Sequence, residues 1–270
     1  MQIIDMHTHS AYSGHGEGSV AQVVERALEI GLSTLAQTEH LVLPDGMDPL
    51  FETSMSMATM QSYLAELRQL REELRERKSS LELVIGIEAD WLDGRTRELE
   101  QLCDPFEYVL GSVHFLDRRP IDDSRDLSVW DDYGHDGVWK RYFETWLDMA
   151  SAPGPITCFA HPDLPKKYGW RPSFDARDYY LEMAQAAARS GRMVEVNTAG
   201  LRKEAGEAYP CAELLHEFCC AGVDCTVGSD AHSPQDVGFG IERAYARMRE
   251  AGYTKVAVAK ADGDRRYIAL

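Results

Sequence analysis

The sequence predicts an α/β fold built on a parallel sheet, and three observations predict it. Short apolar runs alternate with amphipathic segments along the chain, seven strand-like runs precede residue 231, and helix-capping punctuation separates them. Ile3 to Met6 reads as the first strand. Ser19 and Gln22 form a capping-box pattern opening a helix that stops near Gly31. A second strand runs from about Ser33 to Thr38. From Met57 to Lys78, Met60, Leu64, Leu67, Leu70 and Leu74 recur at spacings of three and four, which predicts a helix. The third strand is LELVIGIE (81–88), followed by a short helix from Arg95 to Cys103. Strand four is EYVLGSVH (107–114), then a polar loop through 136 and a helix from Val138 to Ala150. ITCFAH (156–161), MVEVNT (193–198) and VDCTVGSD (223–230) are strands five to seven, with helices near 174–190, 211–221 and 240–251. A short strand near 255–259 closes the chain.

Composition sets the class. The 270 residues are 44% hydrophobic and 27% charged, which suits one globular domain spanning 1–270. A net charge of -17 excludes a duplex nucleic-acid binder, since phosphate-backbone affinity comes from clustered Lys and Arg. It leaves room for a small anionic substrate, because bound cations supply positive charge locally. No signal peptide or membrane span is visible. The six cysteines (103, 158, 211, 219, 220, 225) show no CxxC pair, so reduced thiols in a cytoplasmic protein are expected. No feature speaks to oligomeric state.

The functional signal lies in where metal-binding residue types fall. His7 and His9 end strand one, His40 strand two, Glu88 strand three, His114 strand four and His161 strand five. Asp230 ends strand seven with His232 two residues on; Asn197, ending strand six, is the exception. In a parallel α/β barrel all strand C-termini open onto one face, so these groups would meet at one mouth. Residues two apart on a strand point the same way, so His7 and His9 can grip one ion, as can Asp230 and His232. His15, in the Gly-rich loop SGHGEG, can fold back over the mouth. Seven histidines and two carboxylates make nine candidate ligands. A single tetrahedral ion needs about four, so two or three divalent ions are expected, with Zn, Mn and Fe all compatible. A lone strand-end histidine is more often a hydrogen-bonded core residue, but burying so many titratable groups without a cation would be costly. His135 and His216 are read as structural. Asp5, Glu39 and Asp163 adjoin candidate ligands and are read as orienting carboxylates or as caps.

The motifs DMHTHS, GHGEGS, TEH, GIEAD, GSVHF, FAHPD and GSDAH, in this order, resemble the polymerase and histidinol phosphatase (PHP) superfamily from residue 5 to about 240. The resemblance implies a distorted (β/α)7 TIM-like barrel and a trinuclear centre. It would place one ion on His7, His9, Glu88 and Asp230, a second on the shared Glu88 with His114 and His161, and a third on His15, His40 and His232. Within that superfamily, residues 194–210 and 110–123 are similar to the stand-alone phosphatases that hydrolyse L-histidinol phosphate in histidine biosynthesis. The similarity implies that Arg202 meets the substrate phosphate, with Lys166 and Lys167 as further candidates. Gly14 and Met6 depart from the commonest form of the motifs, at positions that supply no ligand.

The expected reaction is hydrolysis of a phosphate monoester by a water activated between cations held by Glu88, with Asp230 or His232 protonating the departing alkoxide. Rival readings are a phosphoesterase for another small ester or nucleotide, an amidohydrolase cleaving a C–N bond, and a metal-binding module without chemistry. The loops 43–56 and 116–136 would select the substrate.

Overall fold

The computed structural model of the protein describes residues 2–50, 52–260 and 264–270. Its strands and helices follow the chain as β1 (Ile4–Asp5), α1 (Val20–Glu29), β2 (Thr34–His40), α2 (Met57–Glu76), β3 (Glu82–Asp90), α3 (Thr96–Cys103) and β4 (Tyr108–Ser112). Then come β5 (Phe115–Leu116), β6 (Arg119–Pro120), α4 (Ser128–Ser151), β7 (Cys158–Phe159), α5 (Arg177–Ser190) and β8 (Met193–Asn197). The chain ends with α6 (Ala212–Cys220), β9 (Cys225–Gly228), α7 (Ile241–Ala251), β10 (Lys255–Ala259) and β11 (Arg265–Ala269).

Seven strands pair in parallel in the order β1-β2-β3-β4-β7-β8-β9. The ends of this sheet meet: Met6 N–H donates to Val227 O at 2.9 Å, Asp230 N–H to His7 O at 2.8 Å and His9 N–H to Ala231 O at 2.8 Å. The result is the (β/α)7 barrel that the motifs implied. Register puts His40 level with Glu88 and Asn197 level with Gly228, so the strand ends share one rim.

The helices wrap the outside because each carries one apolar stripe. In α1 the capping box forms as expected, with Gln22 N–H donating to Ser19 Oγ at 3.3 Å and Ser19 N–H to Gln22 Oε1 at 2.8 Å. Val20, Val23, Val24 and Ala27 are buried there. Each buried valine contributes about 1.5–3 kcal/mol.

Three expectations need correction. The polar stretch to residue 136 is not all loop, because α4 begins at Ser128, whose N–H is capped by Asp126 Oδ1 at 3.0 Å. Gly134, at φ 64°, kinks this helix and made its first turns look unhelical in sequence. Ahead of it, β5 and β6 form a hairpin whose turn places Asp117 and Arg118 at φ 50° and 62° without a glycine. Finally, β11 pairs antiparallel with β10, although among its residues only Ile268 is buried, too faint a pattern to read as a strand.

Candidate metal centre

The barrel mouth gathers all nine candidate ligands. His7, His9, Glu88, His114 and His161 are buried; His40, Asp230 and His232 are half-buried, and His15 is exposed. Around the inner position, His7 Nε2 lies 3.0 Å from His9 Nε2 and 3.2 Å from Glu88 Oε2, and His9 Nε2 lies 3.4 Å from Asp230 Oδ1. The other Glu88 oxygen, Oε1, faces His161 Nε2 at 3.0 Å and His114 Nε2 at 3.6 Å. One carboxylate thus touches two imidazole groups with different oxygens, the geometry of a bridge. The outer group differs from the set the resemblance implied. Donor atoms of His9, His40 and His232 come within 4.8 Å of one another, while His15 joins through His232, Nε2 to Nε2 at 2.9 Å.

Backbone strain marks two of these positions. His161 and Asp230 sit at φ 23° and 51°, where non-glycine residues are costly, and both follow the last residues of barrel strands. In the loop carrying His15, Gly14 and Gly18 adopt φ 77° and 75°, and a Cβ at Gly16 would lie 2.1 Å from Ser10 O. Only glycines let this loop fold onto the rim.

The donor set fits cations on a structural ground. His232 Nδ1 faces Asp230 O at 3.1 Å and His15 Nδ1 faces Ser13 O at 3.0 Å. A carbonyl only accepts, so both Nδ1 atoms carry the proton and both Nε2 atoms present lone pairs to each other. His7 repeats the pattern, since its Nδ1 is spent on Glu195 and its Nε2 meets His9 Nε2. Facing lone pairs about 3 Å apart repel unless a cation or proton lies between them.

Charge follows the same layout. Burial works against protonating His7, yet Glu195, Glu88 and Asp230 hold it well above the usual imidazole range. For His114 burial is likewise outweighed, by Asp90 and Glu88, and the imidazole is pushed up to about 10. Burial would raise Glu88 and Asp230, but the surrounding imidazoles hold both carboxyls well below their ordinary values. In the outer group burial dominates: His40 is held well below the usual range, His15 is lowered, and His232 falls to about 3.

Beside the imidazoles a cavity of about 300 Å³ is lined by Arg202, Lys203, Lys167, Tyr209 and Asp236 as well as seven of the candidate ligands, all but His7 and His9. Arg202 Nη2 is held by Ser229 O at 2.9 Å and Asp230 O at 3.1 Å, which leaves Nη1 without a hydrogen-bond partner. Lys167 reaches the same wall and contacts Asp122. Lys166 does not. Its ammonium is buried against Asp163 at 2.8 Å and Ala208 O at 3.0 Å, so it braces the loop after β7 and offers nothing to the cavity. The mouth also opens into a cleft of about 640 Å³ between residues 43–53 and 115–126, the two loops expected to select the substrate.

The flanking carboxylates divide by role. Asp5 accepts from Ser229 and Gly238 N–H groups at 2.8 Å and ties strand ends together, orienting no imidazole side chain. Glu39 binds Ser10 N–H at 2.5 Å and stands 3.7 Å from His9 Nδ1. Asp163 is taken by Lys166 and Cys211 N–H. Two carboxylates that sequence reasoning passed over orient imidazoles directly: Asp90, 2.8 Å from His114 Nδ1, and Glu195, 3.1 Å from His7 Nδ1. A charged residue inside each of the apolar runs GIEAD and MVEVN was the available signal. Lys203 was also missed, being one more exposed lysine in sequence. His135 stacks on Trp170 with ring centroids 4.4 Å apart, and His216 Nδ1 faces Ala251 O, so both lie outside the site. All six cysteines are free.

Known proteins share the motifs and the fold of this chain. A PHP domain model matches residues 5–199. A Deinococcus radiodurans protein named "Probable histidinol-phosphatase" is 31% identical over 253 residues, covering 93% of this chain and 94% of its own length. The Bacillus subtilis histidinol-phosphatase is 27% identical, over 90% of this chain and 98% of its own. Among solved structures, histidinol phosphate phosphatase from Lactococcus lactis, complexed with Zn, L-histidinol and phosphate, matches with a TM-score of 0.83 at 23% identity, covering 98% of this chain and 99% of that one.

Proposed function

The chain belongs to the PHP domain family, and from that premise we propose that it is a metal-dependent phosphomonoesterase whose substrate is L-histidinol phosphate. The observation that carries the reading is one wall of converging imidazole and carboxylate donors that shares a cavity of about 300 Å³ with the Arg202 guanidinium. Relatives named histidinol-phosphatase match nearly the full length of the chain, which supports the substrate. Residues 1–270 then act as one hydrolase domain. Six free cysteines suit work in the cytoplasm, and among the described residues no helix is long and apolar enough to cross a membrane.

His7, His9, Glu88 and Asp230 would hold one divalent cation, and Glu88 with His114 and His161 a second. His40 and His232, with His9 and His15 alongside, would hold a third. Such cations supply a nucleophilic water at neutral pH and neutralise charge on the phosphoryl oxygens. The chain's own residues do the rest. Glu88 keeps two donor groups in register through its two oxygens. Arg202, fixed through Nη2, would bring guanidinium charge to the phosphate, and Lys167 and Lys203 add positive charge at the rim. Asp230 and His232 line the same cavity as Arg202 and, held ionised and neutral respectively, would pass a proton from water to the departing alkoxide instead of supplying a stored one.

Phosphate release from histidinol phosphate and a panel of other small monoesters, with metal-stripped protein and with added Mn²⁺ or Zn²⁺, tests this. Metal-dependent release strongest with histidinol phosphate is expected. Equal rates across the panel would overturn the substrate, and no release with any ester would overturn the activity.

A further inference from the structure

We propose that Glu195 and Asn197, successive inward positions of β8, are positioning residues that preset His7 and Asp230 for the inner cation. The inference rests on the metal-hydrolase reading and is independent of the substrate. β8 is the one barrel strand that ends without a candidate ligand, and what it carries there is this pair. Glu195 is fully buried, and a buried carboxylate survives only if its oxygens are satisfied. Two of its three donors come from ligand-bearing segments, His7 Nδ1 at 3.1 Å from each oxygen and His161 N–H at 2.9 Å on Oε1, and the third from its own strand, Asn197 Nδ2 at 2.8 Å on Oε1.

The consequence is a fixed tautomer. With its Nδ1 proton committed to Glu195, His7 can present only Nε2, as a lone pair, to the site. The Asn197 amide extends the device. Its Nδ2 also donates to Asp230 Oδ2 at 3.2 Å, while its Oδ1 accepts from Ala199 N–H at 2.9 Å. Flipping the amide would break contacts at both ends, so its orientation is determined. One buried pair therefore sets an imidazole following β1, the strained His161 backbone after β7 and a carboxylate after β9. Gly228 on β9 leaves the room this needs. A Cβ there would lie 2.4 Å from His7 Cβ and 2.9 Å from Glu195 Oε2.

The test is calorimetric titration of metal-stripped full-length protein with Mn²⁺, comparing wild type with Glu195→Gln and Asn197→Ser, alongside thermal melting of the metal-free proteins. The amide in Glu195→Gln keeps the shape but cannot accept from three donors at once. A loss of about 10–100-fold in affinity for the tightest ion is expected, with weaker ions and the metal-free melting point little changed. Asn197→Ser, which removes the donor to both Glu195 and Asp230, should lower the same affinity about tenfold, and it keeps the proposal testable should Glu195→Gln fail to fold. Wild-type isotherms for both variants would overturn the proposal. So would an equal loss of every ion with a lowered melting point, since that describes a structural role. A wild-type protein that binds neither Mn²⁺ nor, in a parallel titration, Zn²⁺ would overturn the metal-hydrolase reading itself, an outcome distinct from both.

Discussion

The inner and outer halves of the metal centre use the same residue types in opposite ways. Inner imidazoles are buried, and two of the four are backed by hydrogen-bonded carboxylates: Glu195 behind His7 and Asp90 behind His114. Outer imidazoles are more exposed, and two are backed by carbonyl oxygens, Ser13 O behind His15 and Asp230 O behind His232, while His40 Nδ1 faces Glu88 Oε2 at 3.3 Å. A carboxylate raises the basicity of the ring it supports and adds negative charge against the ion; a carbonyl fixes the tautomer and adds none. The inner half is therefore a strong site that protons also want. The outer half is a weaker site already in its neutral, metal-ready form.

The largest way to break this contrast is Glu88→Gln. Removing the bridging charge should empty both inner positions and lower kcat/KM by more than about 100-fold, beyond the loss of a supporting partner. Metal analysis showing full occupancy with normal turnover would end the bridging role. Next in size is Arg202→Ala, which lies in neither half and calibrates them. A lost hydrogen bond to a charged group is worth about 1.5–3 kcal/mol, or roughly 10–100-fold, expected in KM with the metal content intact. Unchanged KM and kcat would remove Arg202 from the phosphate site.

A smaller effect sharpens the contrast. His15→Ala should cost about tenfold in activity, because only the most exposed ligand is lost, and excess Mn²⁺ should restore it. Failure of excess metal to rescue would show that the outer ion is as tightly held as the inner ones. The smallest effect is a proton count. In the metal-free protein His114 lies at about 10, above its ordinary value. Its proton stabilises the fold fully below about pH 6.5, and that contribution is lost as pH rises through 10. His232, lowered to about 3, behaves oppositely: its contribution is present above about pH 6.5 and lost as pH falls through 3. Titrations at pH 7 in buffers of different ionisation enthalpy should show the inner ions releasing protons and the outer ion releasing almost none. Affinity for the inner ions should rise from pH 6 to 9. Equal proton release for all ions would dissolve the distinction.

Much of this centre was legible in sequence because strand ends are legible. Each strand appears as an apolar run, and its last residue marks the rim, so the recurrence of His and carboxylate at that one position identified the mouth. Glu195 was hidden because it sits inside MVEVN, two residues short of the rim, and its value depends on His7, 188 positions away. Lys166 and Lys167 are adjacent in sequence and indistinguishable there. A turn of 3-10 helix over Leu164–Tyr168 sends one into the core and the other to the cavity wall. His9 was assigned to one ion, yet its ring stacks on His40 and His232 at 4.5 and 4.3 Å, placing it between the two halves.

The sequence by itself determined the parallel α/β architecture, the nine candidate donors and the face on which they gather. Periodicity and strand position are local properties, and the chirality of βαβ units leaves few ways to arrange them. Only the tertiary structure decided which oxygen of Glu88 meets which imidazole, which carboxylate stands behind which ring, and that Asn197 serves Asp230. Those depend on the closure of β9 against β1 and on distances of a few tenths of an ångström, which no pattern along a chain encodes.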